Sequence, residues 1–334
     1  MTAIATSGLS KTYGRATPVH PPGRPHATVV RALTDLTIDV GEGEIFGFLG
    51  PNGAGKSTAI RLLLGFLHPT AGRASVLGLD VVRDSVAIRS QVGYLPGGIA
   101  FWDGLTGERL LDDLAALSGR PATRRAELLD RLELSPTTLR RNVRDYSRGM
   151  RQKLGVIQAL QHDPQLAILD EPTEGLDPLM QYAFYAILQD LQRAGRTIFF
   201  SSHVLSEVER VCDRVAIIRQ GRLVALEDIP TLLARRKRNV EMRLEGEPPP
   251  LAGVPGVSDV RIEDGRLRCR LEGDVAPFLA AIAGLTIHDL TIEPARLEEA
   301  FLEFYTGDLI DDEAPQAIAA GAPPAGGTPP VADA

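Results

Sequence analysis

Between Gly50 and Thr58 the chain reads GPNGAGKST, which sets a lysine and two hydroxyl residues directly after three glycines. The spacing fits G-x-x-x-x-G-K-[ST]. The stretch follows an apolar run ending in glycine, GEIFGFLG (Gly43–Gly50), and opens a run of helical composition, TAIRLLLGFL (Thr58–Leu67). Glycines at these places let successive backbone N–H groups turn inward round a phosphate, and the helix start adds partial positive charge. Gly50, Asn52, Gly53, Gly55 and Thr58 then form a phosphate cradle. Lys56 supplies a full charge to terminal phosphates, and the Ser57 hydroxyl is a ligand for Mg²⁺. The chemistry is that of a nucleotide site.

A second stretch, LAILDEP (Leu166–Pro172), is an apolar strand that ends in two carboxylates. Asp170 at the strand end is placed to hold Mg²⁺ through water. Glu171, one residue on, is placed to orient an attacking water or accept its proton.

A third stretch, DYSRGMRQK (Asp145–Lys153), collects Arg148, Arg151 and Lys153 where a turn becomes a helix. Taken alone it reads equally as a solvated basic face, a nucleic-acid patch or a phosphate-binding helix start.

These residues need elements to hold them. For about the first 220 residues strands alternate with helical patterns, the sign of an α/β domain. LAILD and TIFFSS (Thr197–Ser202) read as buried strands, with a long amphipathic helix between them in DPLMQYAFYAILQDLQRAG. RVAIIRQGRLVALE reads as a hairpin turning at Gln220–Gly221. The Pro-rich stretch 15–29 lengthens an N-terminal hairpin, and its His20 and His26 read as solvated. From about 97 to 163 the pattern is mostly helical and interrupts the alternation, as a projecting lobe would. After RRKRN the composition changes, and residues 239–306 suffice for a small α+β domain. There a strand, a hairpin near Glu263–Gly265, an apolar helix, another strand and a last helix with Leu297, Ala300, Phe301 and Phe304 on one stripe are expected. Residues 307–334 are rich in Pro, Ala and Gly and are expected to be disordered.

Composition narrows the function further. A net charge of -7 argues against a polyanion as main partner, so no nucleic acid is expected. The longest apolar run, near Phe278–Ile287, is too short to span a bilayer. The N-terminus shows no signal peptide. Cys212 and Cys269 lie far apart with no metal-ligand spacing, as ordinary buried thiols of a reducing compartment do. The expectation is a soluble, cytoplasmic protein.

The order of YSRGMRQK, LAILDEP, EGLDP and SSH along one chain resembles the nucleotide-binding subunit of ATP-binding cassette (ABC) transporters, in particular drug- and antibiotic-exporter ATPases. The resemblance runs over about Ile4–Glu227. It implies a P-loop ABC cassette: a RecA-like α/β core, an N-terminal antiparallel β subdomain and a helical lobe, covering residues 1–238. It implies ATP and Mg²⁺ as cofactors and two copies sandwiching two ATP molecules. Ser147 and Gly149, in the place of the family's signature sequence, would reach the γ-phosphate held by the other copy. Asp177 matches the loop crossing the dimer interface, His203 the histidine on the γ-phosphate, and Tyr13 the aromatic stacked on adenine. Separate transmembrane permease subunits are the implied partners, which would hold the chain at the inner face of the cell membrane. The C-terminal segment, ending PARLEEAFLEFYTG, resembles the accessory domain of such exporters, and a packing role is the plainer reading for it.

One position departs from the family. After the strand VGYLP the family carries Gln or Glu, whereas Gly97 stands here. Glycine offers no group to Mg²⁺ or water, so slower hydrolysis or a substitute group is expected. Phe101 and Trp102 read either as a docking surface for a membrane subunit or as core of the lobe. Two rival functions remain at this stage: a soluble ABC ATPase of translation or repair, and a nucleotide-binding regulatory or resistance protein. A single phosphate loop, with no heptads or paired cysteines, speaks against the first; Glu171 speaks against the second.

Overall fold

A computed structural model describes residues 1–14, 29–234, 238–246, 251, 253–263 and 265–293. Residues 15–28, 294–306 and the tail lie outside these. So do His20, His26, Leu297, Ala300, Phe301 and Phe304.

Strand β1 (Thr2–Tyr13) pairs antiparallel with β2 (Val30–Leu36), β3 (Asp39–Gly41) and β5 (Ala71–Val76), and β6 (Leu79–Asp80) completes this five-stranded sheet. The expected N-terminal hairpin is therefore present as β1–β2. A second sheet of six strands carries the chemistry. It comprises β4 (Ile45–Leu49), β7 (Val92–Leu95), β8 (Leu166–Asp170), β9 (Thr197–Ser202), β10 (Arg214–Arg219) and β11 (Arg222–Asp228), in the order β11-β10-β4-β9-β8-β7. All its pairings are parallel except β10–β11. Strands of a parallel sheet are covered on both faces, which is why IFGFL and LAILD are apolar throughout rather than alternating. Every residue of β4, β8 and β9 is buried.

Alternation along β4 divides the core. Phe46 stacks on Phe199 at a centroid distance of 5.8 Å and Phe48 meets it tilted at 5.2 Å, in a cluster with Ala59, Ile60, Leu62 and Leu63 of α1 (Lys56–Leu63). Ile45 and Leu49 belong to the opposite cluster, with α6 (Arg148–Leu160), α7 (Pro178–Arg193) and α8 (Leu205–Val211). Each fully buried ring contributes about 1.5–3 kcal/mol.

Between β6 and β7 lies α2 (Ser85–Gln91). The helical lobe follows β7 as α3 (Gly107–Ser118), α4 (Arg125–Arg131), α5 (Pro136–Leu139) and α6. The two readings of its aromatic pair divide: Phe101 packs on the core, while Trp102 is 62 % exposed. After α9 (Ile229–Ala234), strands β12 (Arg238–Leu244), β13 (Val257–Glu263), β14 (Arg266–Leu271) and β15 (Ile287–Glu293) form an antiparallel sheet, ordered β13-β14-β12-β15. With α10 (Ala276–Ile282) it has its own apolar cluster, which includes Val240, Met242, Leu267, Leu271, Phe278 and Ile282. Cys212 and Cys269 are both buried and free. Among the described residues no helix is long and apolar enough to cross a membrane.

Candidate functional site

Register brings the strand ends together. Leu49 pairs with Ser202, and Asp170 pairs with Ser201, so β4, β9 and β8 finish side by side. In an open parallel sheet ligands bind beyond these carboxyl ends. A cavity of about 720 Å³ opens there, lined by Asn52, Gly53, Gly55, Lys56, Ser57 and Thr58 from one strand end and by Asp170, Glu171 and His203 from the other two.

The phosphate-type loop takes its shape from close packing. Gly55 has φ 107°, a conformation that side-chain-bearing residues rarely adopt, and a Cβ there would lie 2.5 Å from the Ala32 carbonyl oxygen. The turn at Gln220–Gly221 buttresses the loop from the other side: the Gly221 N–H donates to the Ala54 carbonyl at 2.9 Å. Gln220 and Gly221 have φ 49° and 76°, positive at both central residues as a tight hairpin turn of the type I′ class requires. Lys56 begins α1 and is only 6 % exposed. Its ammonium donates to the Gly50 carbonyl at 2.6 Å and lies 3.1 Å from Glu171 Oε1. That ion pair is not aligned as a hydrogen bond, so among the described residues Glu171 Oε1, a buried oxygen, has no hydrogen-bond donor.

The two strand-end carboxylates point to different partners. Asp170 accepts from Ser57 Oγ at 2.8 Å through Oδ2 and from Ser201 Oγ at 2.9 Å through Oδ1. Glu171 has φ 50°. Its Oε2 meets His203 Nδ1 at 2.8 Å. The pair Ser57 and Asp170 suits Mg²⁺, a hard cation that takes one or two carboxylates together with phosphate oxygens. Among the described residues there is no group of three or more His, Cys, Asp or Glu that could hold a metal ion. Tyr94 also lines the cavity, and its phenol is pushed up in pKa by burial and then by the negative charge of Asp170.

Gly97 lies beside Asp170. A Cβ at position 97 would stand 3.0 Å from Asp170 Oδ2, so the carboxylate occupies the space into which a side chain would project.

The remaining sequence-predicted residues lie elsewhere. Ser147 caps α6, its Oγ accepting from the Met150 N–H at 3.2 Å. Gly149 packs so closely that a Cβ would meet the Gly175 carbonyl oxygen at 2.9 Å. Asp177 is exposed and caps α7, accepting from the Met180 N–H at 3.0 Å, with Pro178 in the first helical position. Arg148 and Glu174 form an ion pair between these two helix starts. Ser147, Gly149 and Asp177 do not line the cavity. Tyr13 does not line it either, although its register partner Val30 does.

Residues unforeseen from sequence complete the site. Arg31 and Ala32 from β2, Arg61 from α1, Glu174, and the Gln220–Gly221 turn line the cavity. Gln152 Nε2, from α6, donates to the Pro172 carbonyl at 2.7 Å. Spacing offered a signal only for the turn, which could be seen as a turn and not as a wall.

A glycine loop on a helix start, beside the carboxyl end of a parallel sheet with a lysine, a hydroxyl and two carboxylates converging, defines a P-loop α/β nucleotide-binding fold. Comparison with known proteins agrees. Residues 33–174 match the family described as ABC transporter. An ABC transporter ATP-binding protein of Nostoc sp. is 39% identical over 281 residues, covering 82% of this chain and 83% of the relative. A daunorubicin resistance ATP-binding protein of Streptomyces coeruleorubidus is 34% identical over 92% of this chain and 96% of its own length. A bacitracin transport ATP-binding protein of Bacillus licheniformis is 36% identical over 74% and 76%. A solved ATP-binding subunit of an ABC transporter superposes with TM-score 0.60 at 29% identity, covering 69% of this chain and 91% of that one. The chain belongs to the ABC transporter ATP-binding protein family.

Proposed function

We propose that this chain binds and hydrolyses Mg²⁺-ATP and so drives transport, as an exporter, through separate membrane permease subunits. The observation that carries the reading is the meeting of Lys56, Ser57, Asp170, Glu171 and His203 at three adjacent strand ends. Lys56 and the loop amides of Gly50, Asn52, Gly53, Gly55 and Thr58 would hold the phosphates. Ser57 and Asp170 would hold Mg²⁺, which when bound neutralises phosphate charge. Glu171, with an undonated oxygen, would orient a water, and His203 would hold the terminal phosphate and the Glu171 carboxylate in one geometry.

Ser147, Gly149 and Asp177 are exposed or stand at exposed helix starts outside the cavity. Contact with nucleotide would therefore come from a second copy, giving the head-to-tail sandwich; Tyr13 would stack on the base. The names of the daunorubicin and bacitracin relatives favour export. Docking on a permease would place the chain at the inner face of the cell membrane. The separate apolar cluster of β12–β15 and α10 supports a division into a cassette at 1–238, with its lobe at about 97–163, and an accessory domain at 239–306. Nucleic acid is not among the proposed partners.

The test is Mg²⁺-dependent ATP hydrolysis by the purified chain beside Lys56→Ala. Loss of one charge-assisted phosphate contact is expected to weaken ATP binding by about 10- to 100-fold. Equal binding and turnover in the two proteins would contradict the reading.

A further inference from the structure

Glu171 and His203 belong to different segments, and their meeting depends on what fixes each segment. Behind them stands a carboxylate used by none of the steps above. Glu207, on α8, is 8 % exposed. Its Oε1 accepts from Thr173 Oγ1 at 2.6 Å, and its Oε2 accepts from Ser202 Oγ at 2.6 Å. Thr173 is 4 % exposed and Ser202 fully buried. Thr173 follows Glu171 by two residues, and Ser202 immediately precedes His203. The Ser202 hydroxyl also accepts from the Val204 N–H at 2.9 Å, on the far side of His203.

A buried carboxylate needs donors, and a two-hydroxyl bridge is satisfied only while both donors keep their places. The bridge therefore couples the turn after β8 to the end of β9. The turn is also held by Gln152 donating to the Pro172 carbonyl and by the Arg148–Glu174 ion pair, and it begins at the positive φ of Glu171. Backbone in that region is held by its surroundings rather than by its own preference.

The geometry points to Glu207 as a positioning residue for hydrolysis, which fixes the separation of Glu171 and His203 through Thr173 and Ser202 without touching nucleotide. This rests on the proposed ATP-hydrolysing role of the site. Displacement of a catalytic group by about 1 Å can cost on the order of 100-fold in rate, so a bridge of this kind acts on turnover. It leaves the phosphate loop alone, because none of its atoms belongs to residues 50–58.

Thr173→Val keeps the side-chain volume and removes one donor; Thr173→Ser keeps the donor. Steady-state ATP hydrolysis and equilibrium binding of a fluorescent ATP analogue are measured for both, with thermal melting to show that both fold. Glu207→Gln is carried as a second variant that keeps the shape and removes the charge. For Thr173→Val, kcat is expected to fall about 10-fold or more while nucleotide affinity stays within about 3-fold, and Thr173→Ser returns kcat to within about 2-fold of the parent. Unchanged kcat in both Thr173→Val and Glu207→Gln overturns the positioning role. Equal losses in the Val and Ser variants, or affinity falling in step with kcat, overturn it as well. Lys56→Ala runs alongside: if that variant binds and hydrolyses ATP as the parent does, the reading of the site itself fails, whatever Thr173 shows.

Discussion

Glu171 Oε2 and His203 Nδ1 stand 2.8 Å apart, although the whole of α7 and β9 lies between them in sequence. The same carboxylate faces Lys56 on its other oxygen, 3.1 Å away. A single side chain thus joins the phosphate-type loop, the strand that ends in Asp170 and the strand that ends before His203.

From this follows the first expectation for the pair. His203→Ala removes a contact to Glu171 and the proposed contact to the terminal phosphate, while leaving Lys56 and Ser57 in place. Turnover is expected to fall by about 100-fold or more, the usual range for a group acting in proton transfer or its support. ATP affinity should change far less. A loss of affinity with kcat unchanged would assign His203 to binding alone; the two are separated by single-turnover hydrolysis and equilibrium binding.

A second expectation concerns stability and pH. Asp163, between α6 and β8, is paired with Arg196, between α7 and β9. The hydrogen bond from Arg196 holds the Asp163 carboxyl below the ordinary value of 3.8 despite the opposing cost of burial. The unfolded chain then binds the proton more readily than the folded one, so this group's stabilisation rises with pH. It is fully present above about pH 5 and is lost as pH falls through 3.8 toward the depressed folded value. Asp163→Asn should lower stability by about 1 kcal/mol at pH 7. In urea titrations the gap between the two proteins should close progressively below pH 4, as an ordinary carboxylate value of 3.8 requires.

The sequence made some of this legible and hid the rest, for a physical reason. The loop Gly50–Thr58 and the pair Asp170–Glu171 are local: a strand, a turn and a helix start suffice to orient them, and each lies within a few consecutive residues. The apolar runs of β4, β8 and β9 likewise state that they are buried. Gly97 could be read as a missing side chain, but not that Asp170 fills the space beside it. The support of the site by Gly221 on Ala54, Gln152 on Pro172 and Glu207 on Thr173 arises from which strands are neighbours in the sheet. Chain order does not carry that information, since β4 sits between β9 and β10. Ser147 and Asp177 turn out to cap α6 and α7, a role that the sequence reading did not assign them. Neither lines the cavity, and their proposed contact with nucleotide would be made by a second copy.

The proposed site is complete only with that second copy. Glu171→Gln keeps the bond-forming shape of the side chain and abolishes its ability to take a proton, so a nucleotide-closed state should persist. Light scattering on this variant, with and without saturating ATP, measures the mass directly against the 36.0 kDa of one chain. That mass is expected to double with ATP, and the doubling to be lost on adding Ser147→Ala. A variant that binds ATP yet keeps the mass of one chain at every concentration would contradict the two-chain site.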